Sequence, residues 1–378
     1  MSQGSVSRRS FLRNVAAGST GAALATVPGA LSPAASSAPT GAPYPVTVAS
    51  FPLAEPGRGA ALDHIKIVTR ERIAGPFQEK IRGQSPGLEL TYCASEADFR
   101  REIADAQVIY GDFSREDLKA ARELRWIQWT AAGVEHILGP EFVESPVVLT
   151  NMQRVYAPAI SETAIGFMLA LAHGINRYSV QTRERTWKSL DGLFDISGMT
   201  VGIVGLGGIG TEIARRAHFG FDMKILAVDP KPIPKPDFVA ELHSLDWLPT
   251  MAPQVDFLVS SAPHTRESEG MFNESIFRAM KPSAFFINMS RGKLVDTPAL
   301  VRALKEGWIA GAGLDVAYKE PLPADEPLWT AGNVIITCHT SGWTPRTTER
   351  QMAIFTENVR RYVAGLPLLN VVDKRRGY

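Results

Sequence analysis

"TVGIVGLGGIG", residues Thr200–Gly210, runs from an apolar, β-branched stretch straight into a glycine-rich turn. Gly205, Gly207 and Gly210 fall in the spacing G-x-G-x-x-G, with Gly208 and Ile209 between the last two. The first glycine of such a turn permits a tight bend. The second lets the backbone approach a pyrophosphate, and the third lets helix and strand pack closely. "GTEIARRAHFG" continues as a helix whose first N–H groups point at the phosphates. "KILAVDP" then returns as a strand ending in Asp229, about twenty residues on. An acid there accepts hydrogen bonds from the adenosine ribose hydroxyls and repels a 2′-phosphate. This favours NAD over NADP, and Lys231 offsets part of the repulsion.

The surroundings repeat the alternation. Before the turn, "HIKIVTR" (64–70), "LELTYC" (88–93) and "AQVIYG" (106–111) read as strands. "SREDLKAARE" follows as a helix with a serine cap, and "LRWIQWTAAGVEHI" as strand and loop. After the turn, "VDFLVSSAP", "SAFFINMS", "AGAGLDV" and "NVIITCH" are strand-like, "TPALVRALKEG" is helical, and "TPRTTERQMAIFTENVRRYVAG" is a last helix. Ser161–Trp187 reads as one long helix capped by Ser161, with Ala164, Phe167, Met168, Leu171 and Ile175 on one apolar face. Strands alternating with helices at this spacing imply parallel sheets and an α/β fold.

Composition is that of an ordinary globular chain: 378 residues, formal net charge +1, 45% hydrophobic. No basic stripe points to nucleic acid, and no segment reads as a stable membrane span. The two cysteines, Cys93 and Cys338, give neither a disulfide framework nor zinc-ligand spacing, and read as small buried hydrophobes. No metal is expected. At the amino end, "SVSRRSFLRNVAAG" (5–18) sets Arg8 and Arg9 before an uncharged Ala/Gly-rich run, and Ala23-Leu24-Ala25 suits a signal peptidase. The pattern resembles a twin-arginine signal, so the expectation is export to the periplasm or beyond. Without the signal the expectation becomes the cytoplasm. Leu31–Pro45 reads as a flexible tether.

Three segments fall after successive strands, where open α/β sheets place ligands. They are "NMSRGKLVD" (288–296), "GLDVAYKEPLP" (313–323) and "CHTSGWT" (338–344). Arg291 can grip a carboxylate with paired hydrogen bonds. His339 can transfer a proton near neutral pH. Glu320 can hold that imidazole. Trp343 is placed to cap a pocket or to pack. His264 follows a strand with no acid close by in sequence, and reads as structural or ribose-side. His136 and His173 read as surface or core histidines.

"VGIVGLGGIG", "NMSRG..VD", "GLDV...EPLP" and "H.SG.T", in this order and spacing, resemble the D-isomer-specific 2-hydroxyacid dehydrogenase family from about His64 onward. The resemblance implies two Rossmann-like or flavodoxin-like parallel-sheet domains. Their expected bounds are a signal and tether over 1–45, a substrate domain over 46–155, an inserted NAD-binding domain over 156–341, and a return to the substrate domain over 342–378. It implies Arg291 as the substrate-orienting arginine, Glu320 as the acid paired with the catalytic histidine, and His339 as that histidine. Asp315 would face the nicotinamide amide. Pro263, Thr265 and Ser290 would line the cofactor cleft. Ala132, Gly133 and Val134 would hold the substrate carboxylate through backbone N–H groups. The Ser161–Trp187 element would form a homodimer interface. Cys338 stands where the family carries proline, so the locked φ before the histidine is lost.

The expected activity is hydride transfer between NAD(H) and a small 2-oxoacid or D-2-hydroxyacid, with glyoxylate or hydroxypyruvate the first candidates. The alternatives are an NAD(H)-binding sensor resembling corepressors of the same family, or a formate, phosphite or phosphoglycerate dehydrogenase. The chain after the last helix is short, which weighs against the larger phosphoglycerate enzymes.

Overall fold

The computed structural model describes residues 64–134 and 136–377. The paired arginines and the tether lie outside the described residues. Five strands form the first sheet: β1 (Ile65–Thr69), β2 (Leu88–Tyr92), β3 (Val108–Tyr110), β4 (Trp126–Gln128) and β5 (Val148–Thr150). All neighbours are parallel, in the order β2-β1-β3-β4-β5. Seven strands form the second: β6 (Thr200–Val204), β7 (Lys224–Val228), β8 (Glu241–His243), β9 (Phe257–Ser260), β10 (Phe285–Asn288), β11 (Gly311–Leu314) and β12 (Val334–Ile336). These too are all parallel, in the order β12-β11-β10-β9-β6-β7-β8. The chain therefore folds as two parallel-sheet α/β domains.

Parallel strands need both faces covered, and the sequence supplies continuous apolar runs for it. Every residue of β1, β9 and β10 is buried. In the second sheet the strand order reverses direction between β6 and β9, the topological switch point where such sheets take ligands. The chain leaves the first sheet after β5, builds the second, and then returns. The final helix, Pro345–Val363, packs Met352, Phe355 and Val359 into the same cluster as Ile65, Ile67 and Trp126. Phe355 stacks on Tyr110 with ring centroids 4.2 Å apart. Buried Asn358 fixes the register by donating to Gln128 Oε1 at 2.9 Å. An isolated bridge pairs Val371 antiparallel with Thr150.

One expected element is corrected. The helix read over Ser161–Trp187 begins earlier and breaks. It runs over Ala157–Ala172 and restarts over Ile175–Arg183, bent by 71°. Pro158 suits a first turn, where a missing N–H costs nothing. Gly174, at φ 61°, supplies the left-handed residue that ends the first segment. Ser161 is thus no cap. It is buried inside the helix and its hydroxyl donates to the Pro158 carbonyl at 2.8 Å. Ala164, Phe167, Met168 and Leu171 are buried as expected, whereas Ile175 is exposed. Among the described residues no single helix is long and apolar enough to cross a membrane.

Gly210 measures how tightly the helix Gly208–Phe221 sits on β6. A Cβ there would lie 2.1 Å from the Gly205 carbonyl oxygen. Gly220, exposed near the end of the same helix, has nothing within 4 Å of its Cβ position. Gly210→Ala should destabilise the protein by ~2 kcal/mol or more in urea unfolding. Gly220→Ala should instead add ~0.5–1 kcal/mol, as a freed helix position does. Equal effects would contradict this packing.

Candidate active site

The glycine turn forms as its spacing requires. Gly205 has φ 91°, and a Cβ on it would lie 2.8 Å from the Ala262 backbone, which follows β9 across the switch point. Gly207 is the cap residue of helix Gly208–Phe221 and is exposed, with nothing within 4 Å of its Cβ position. Ile209 is half-buried behind it. Asp229, following β7, reaches back to the turn. Its Oδ2 accepts the Leu206 N–H at 2.8 Å and its Oδ1 accepts the Lys231 N–H at 2.9 Å. Burial pulls the Lys231 ammonium below its ordinary value, against the opposing pull of Asp229. A backbone that no Cβ obstructs at Gly207, beside a carboxylate after the next strand, fits the diphosphate and ribose of a dinucleotide.

The three loops beyond β10, β11 and β12 meet. His339 Nδ1 lies 2.8 Å from Glu320 Oε2, and Glu320 Oε1 accepts the Ala317 N–H at 3.0 Å. The carboxylate thus has one oxygen on its own loop and one on the imidazole. Gly292, next to Arg291, is forced to be glycine by contact with that same loop. A Cβ on it would overlap the Ala317 carbonyl carbon at 1.9 Å. The turn carrying Arg291 therefore touches, backbone to backbone, the loop carrying Glu320. Arg291 Nη1 donates to the Ser290 carbonyl at 2.9 Å.

Asp315 lies beneath the histidine loop. It is buried at 2% exposure, and its Oδ1 accepts the Thr337 hydroxyl at 2.5 Å and the Thr340 N–H at 3.3 Å. Its Oδ2 accepts both the Ser341 N–H at 3.3 Å and the Ser341 hydroxyl. A carboxylate offers about four lone-pair sites. Its donors here all come from the histidine loop, so Asp315 holds His339 in place. The loop needs holding. His339 sits at φ 58°, left-handed, with its N–H on the Asp315 carbonyl at 2.7 Å.

Ser290 is buried, its hydroxyl 2.6 Å from Ser260 Oγ and 2.9 Å from Asn288 Oδ1. It shapes the turn under Arg291. Pro263 and Thr265 form a compact turn closed by Ser268, whose hydroxyl donates to the Pro263 carbonyl at 2.8 Å and accepts the Thr265 N–H at 2.8 Å. His264 does have an acid partner: Nε2 is 3.5 Å from Glu269 Oε2, brought close by that turn. His136 and His173 are exposed. Cys93 is buried but Cys338 is exposed, and both are free thiols. Among the described residues no group of His, Cys, Asp or Glu is arranged to hold a metal ion.

Ala132, Gly133 and Val134 form a shaped backbone loop beyond β4. The Trp129 indole donates to the Gly133 carbonyl at 2.9 Å, and Asn151 Nδ2 to the Ala132 carbonyl at 2.7 Å. With the carbonyls tied back, the N–H groups of these three residues have no acceptor among the described residues. Tyr156, which the sequence reading passed over, braces this loop. Its hydroxyl donates to the Thr130 carbonyl at 2.5 Å and accepts from Gln351 Nε2 at 2.7 Å. Burial pushes the phenol up to about 12. The exposed Trp343 ring stands edge-on to Tyr156, centroids 6.1 Å apart. Only the aromatic placed just before Ala157-Pro158 hinted at this brace.

A strand-turn-helix dinucleotide cradle beside a paired imidazole and carboxylate defines an NAD(P)-dependent oxidoreductase. Comparison with known proteins gives the family. Residues 165–341 match the NAD binding domain of the D-isomer specific 2-hydroxyacid dehydrogenases. The glyoxylate reductase of Korarchaeum cryptofilum is 36% identical over 267 residues, covering 68% of this chain and 79% of its own. That of Thermococcus kodakarensis is 36% identical, covering 68% and 78%. Among solved structures, a D-isomer specific 2-hydroxyacid dehydrogenase family protein from Aeromonas salmonicida superposes with a TM-score of 0.73 at 30% identity, covering 83% of this chain and 100% of its own. An NADPH-dependent glyoxylate/hydroxypyruvate reductase from Sinorhizobium meliloti, solved with NADP and sulfate, superposes at 0.71 with 25% identity, covering 83% and 100%. The chain belongs to the D-isomer-specific 2-hydroxyacid dehydrogenase family.

The role given to Asp315 is directly checkable. Asp315→Asn replaces one accepting oxygen by an NH₂ donor, set against one hydroxyl and one N–H, and leaves a neutral, weaker acceptor on the other side. Amide hydrogen exchange at Thr340 and Ser341 should accelerate at least ~10-fold while exchange in β6 and β9 stays unchanged. Unchanged protection at Thr340 and Ser341 would remove Asp315 from this role.

Proposed function

We propose that this protein reduces glyoxylate- or hydroxypyruvate-type 2-oxoacids, with His339, Glu320 and Arg291 as the reacting-centre residues. The observation that carries the reading is the 2.8 Å His339–Glu320 pair on a loop in backbone contact with the turn of Arg291. A bound reduced nicotinamide supplies a hydride to the 2-oxo carbon. The loop N–H groups of Ala132, Gly133 and Val134 hold the substrate carboxylate, and Arg291 orients the same acid. As the carbonyl oxygen gains charge, protonated His339 donates a proton to it, and the Arg291 guanidinium stabilises the growing charge. Glu320 keeps Nδ1 protonated and directs Nε2 to the substrate. In oxidation of the hydroxyacid the same groups run in reverse, with neutral His339 as base.

NAD is the preferred dinucleotide in this reading. Asp229, fixed after β7 by two backbone N–H groups, supports this, since an acid there accepts from the ribose hydroxyls and repels a 2′-phosphate. In the same reading Asp315 faces the nicotinamide amide while its carboxylate holds the histidine loop.

The same reading includes a homodimer built on the Ala157–Arg183 region. Helix Ile175–Arg183 buries no residue, and Ile175, Val180, Trp187 and Leu193 stand exposed along this segment and the stretch after it. A second copy of the chain supplies the apolar surface they lack. It also includes export as a folded, cofactor-loaded protein, supported by the order of charge, apolar run and small-residue motif at residues 5–25.

Two experiments test the proposal. With glyoxylate or hydroxypyruvate, His339→Ala should lower kcat with NADH by at least ~10²-fold. Arg291→Ala should chiefly raise KM for the oxoacid, and kcat/KM should favour NADH over NADPH in the wild type. Wild-type turnover in the His339 variant would refute the assignment. Second, the full chain expressed in a twin-arginine-competent bacterium should be recovered from the periplasm as a dimer by sedimentation, with nicotinamide absorbance retained. A cytoplasmic, monomeric or nucleotide-free product would refute the corresponding part.

A further inference from the structure

We infer that Arg154, carried by the substrate-domain sheet, is a cross-cleft ligand for the pyrophosphate of the dinucleotide. The inference rests on the cofactor reading above and adds to it a residue outside the glycine turn.

Arg154 lies in the turn that leaves β5 and enters helix Ala157–Ala172. Its φ is 69°, the left-handed region that residues with a Cβ avoid. Glycine would sit there without strain, yet the position carries a long cation. The turn is built to impose that conformation. The Gln153 N–H donates to Asn151 Oδ1 at 3.2 Å, and the Ala157 N–H to the Arg154 carbonyl at 3.2 Å. From the far end of the chain, Asn370 Nδ2 donates to the Asn151 and Gln153 carbonyls, each at 3.2 Å. A residue held in a costly conformation by so many supports is a candidate for function.

The conformation lays Arg154 on the glycine turn. A Cβ on Gly208 would lie 2.7 Å from Arg154 Cγ and 3.4 Å from its Cα. Gly208 is the first residue of the nucleotide helix, and the exposed, unobstructed Gly207 precedes it. In this class of turn the pyrophosphate sits at that helix start. Arg154 is itself exposed, and beyond Cγ its chain continues to a guanidinium fork that matches paired phosphate oxygens.

Charge balance points the same way. No Lys or Arg lies between Gly205 and Glu212. The next cations, Arg215 and Arg216, both pair with Glu212 further along the helix. The glycine turn therefore offers the phosphates N–H dipoles but no cation of its own. Arg154 supplies one from the opposite side of the cleft. A phosphate gripped from both domains holds them together around the cofactor, which suits a protein that must keep its nucleotide.

The test measures binding, not turnover. NADH, ADP-ribose, AMP and adenosine are titrated calorimetrically into the wild-type full chain, Arg154→Gly and Arg154→Lys. Glycine tolerates the left-handed φ, so Arg154→Gly removes the charge without straining the turn, and its ligand-free melting temperature should equal or exceed that of the wild type. We expect Arg154→Gly to weaken NADH, ADP-ribose and, to a lesser degree, AMP, with NADH and ADP-ribose losing at least ~10-fold, and Arg154→Lys to stay within ~3-fold of wild type. Adenosine, which carries no phosphate, should bind the wild type and Arg154→Gly alike. The wild-type advantage should shrink as salt rises. Wild-type affinity for NADH and ADP-ribose in Arg154→Gly would overturn the inference, as would an equal loss for adenosine. Failure of the wild type to bind NADH at all would overturn the cofactor reading itself, and this inference with it.

Discussion

One buried carboxylate organises the reacting end of this molecule. Asp315 sits at the carboxyl end of β11, and its oxygens accept from Thr337, Thr340 and Ser341 in the loop after β12. That loop holds His339 in a left-handed conformation which no proline precedes. A buried anion is costly unless fully hydrogen-bonded, and here it is satisfied by donors that all come from one short segment. The same hydrogen bonds that satisfy the anion fix the histidine. The Thr337 and Ser341 side chains thereby do the work that a locked proline φ would otherwise share. From that fixed point the rest follows: Glu320 on the imidazole, the Gly292 turn against the Glu320 loop, and Arg291 on that turn.

The second constraint is the meeting of two sheets around one cleft. The carboxyl ends of β6 and β9 form the cradle, and the loop after β4 presents backbone N–H groups from the other domain. Residues that belong to neither list tie these parts together. Tyr156 and Gln351 brace the Thr130 loop, and Gly342 lets the histidine loop pass close to the Tyr156 ring, 2.9 Å from where its Cβ would be. Arg154 reaches the glycine turn from the same short stretch. The six residues 151–156 thus touch the loop after β4, the histidine loop and the glycine turn at once.

Much of this was legible in the sequence. The glycine turn, the strand alternation and the three loop motifs are local signals, and each lies where its pattern places it. What the sequence did not reveal depends on three-dimensional encounter. The break at Gly174 was hidden because the apolar periodicity runs across it. The Glu269 partner of His264 appears only once the Ser268 turn closes. Short edge strands such as β8 carry too few residues for a pattern. The employment of Asp315 by Thr337, Thr340 and Ser341 spans more than twenty residues of sequence, and no spacing rule announces it. Nor does any spacing announce that the Ser290 hydroxyl meets Ser260 and Asn288.

The central claim is that His339 and Arg291 present a 2-oxo carbon to the reactive carbon of a dinucleotide bound on the Gly205–Gly210 turn. Deuterium transfer tests it most directly. The protein is given hydroxypyruvate and NADH deuterated at C4 of the nicotinamide, each face in turn, and the glycerate is analysed by mass spectrometry and chiral separation. The account predicts D-glycerate carrying the label at C2 from one face only. Label absent from C2 with either face, or an L product, would contradict it.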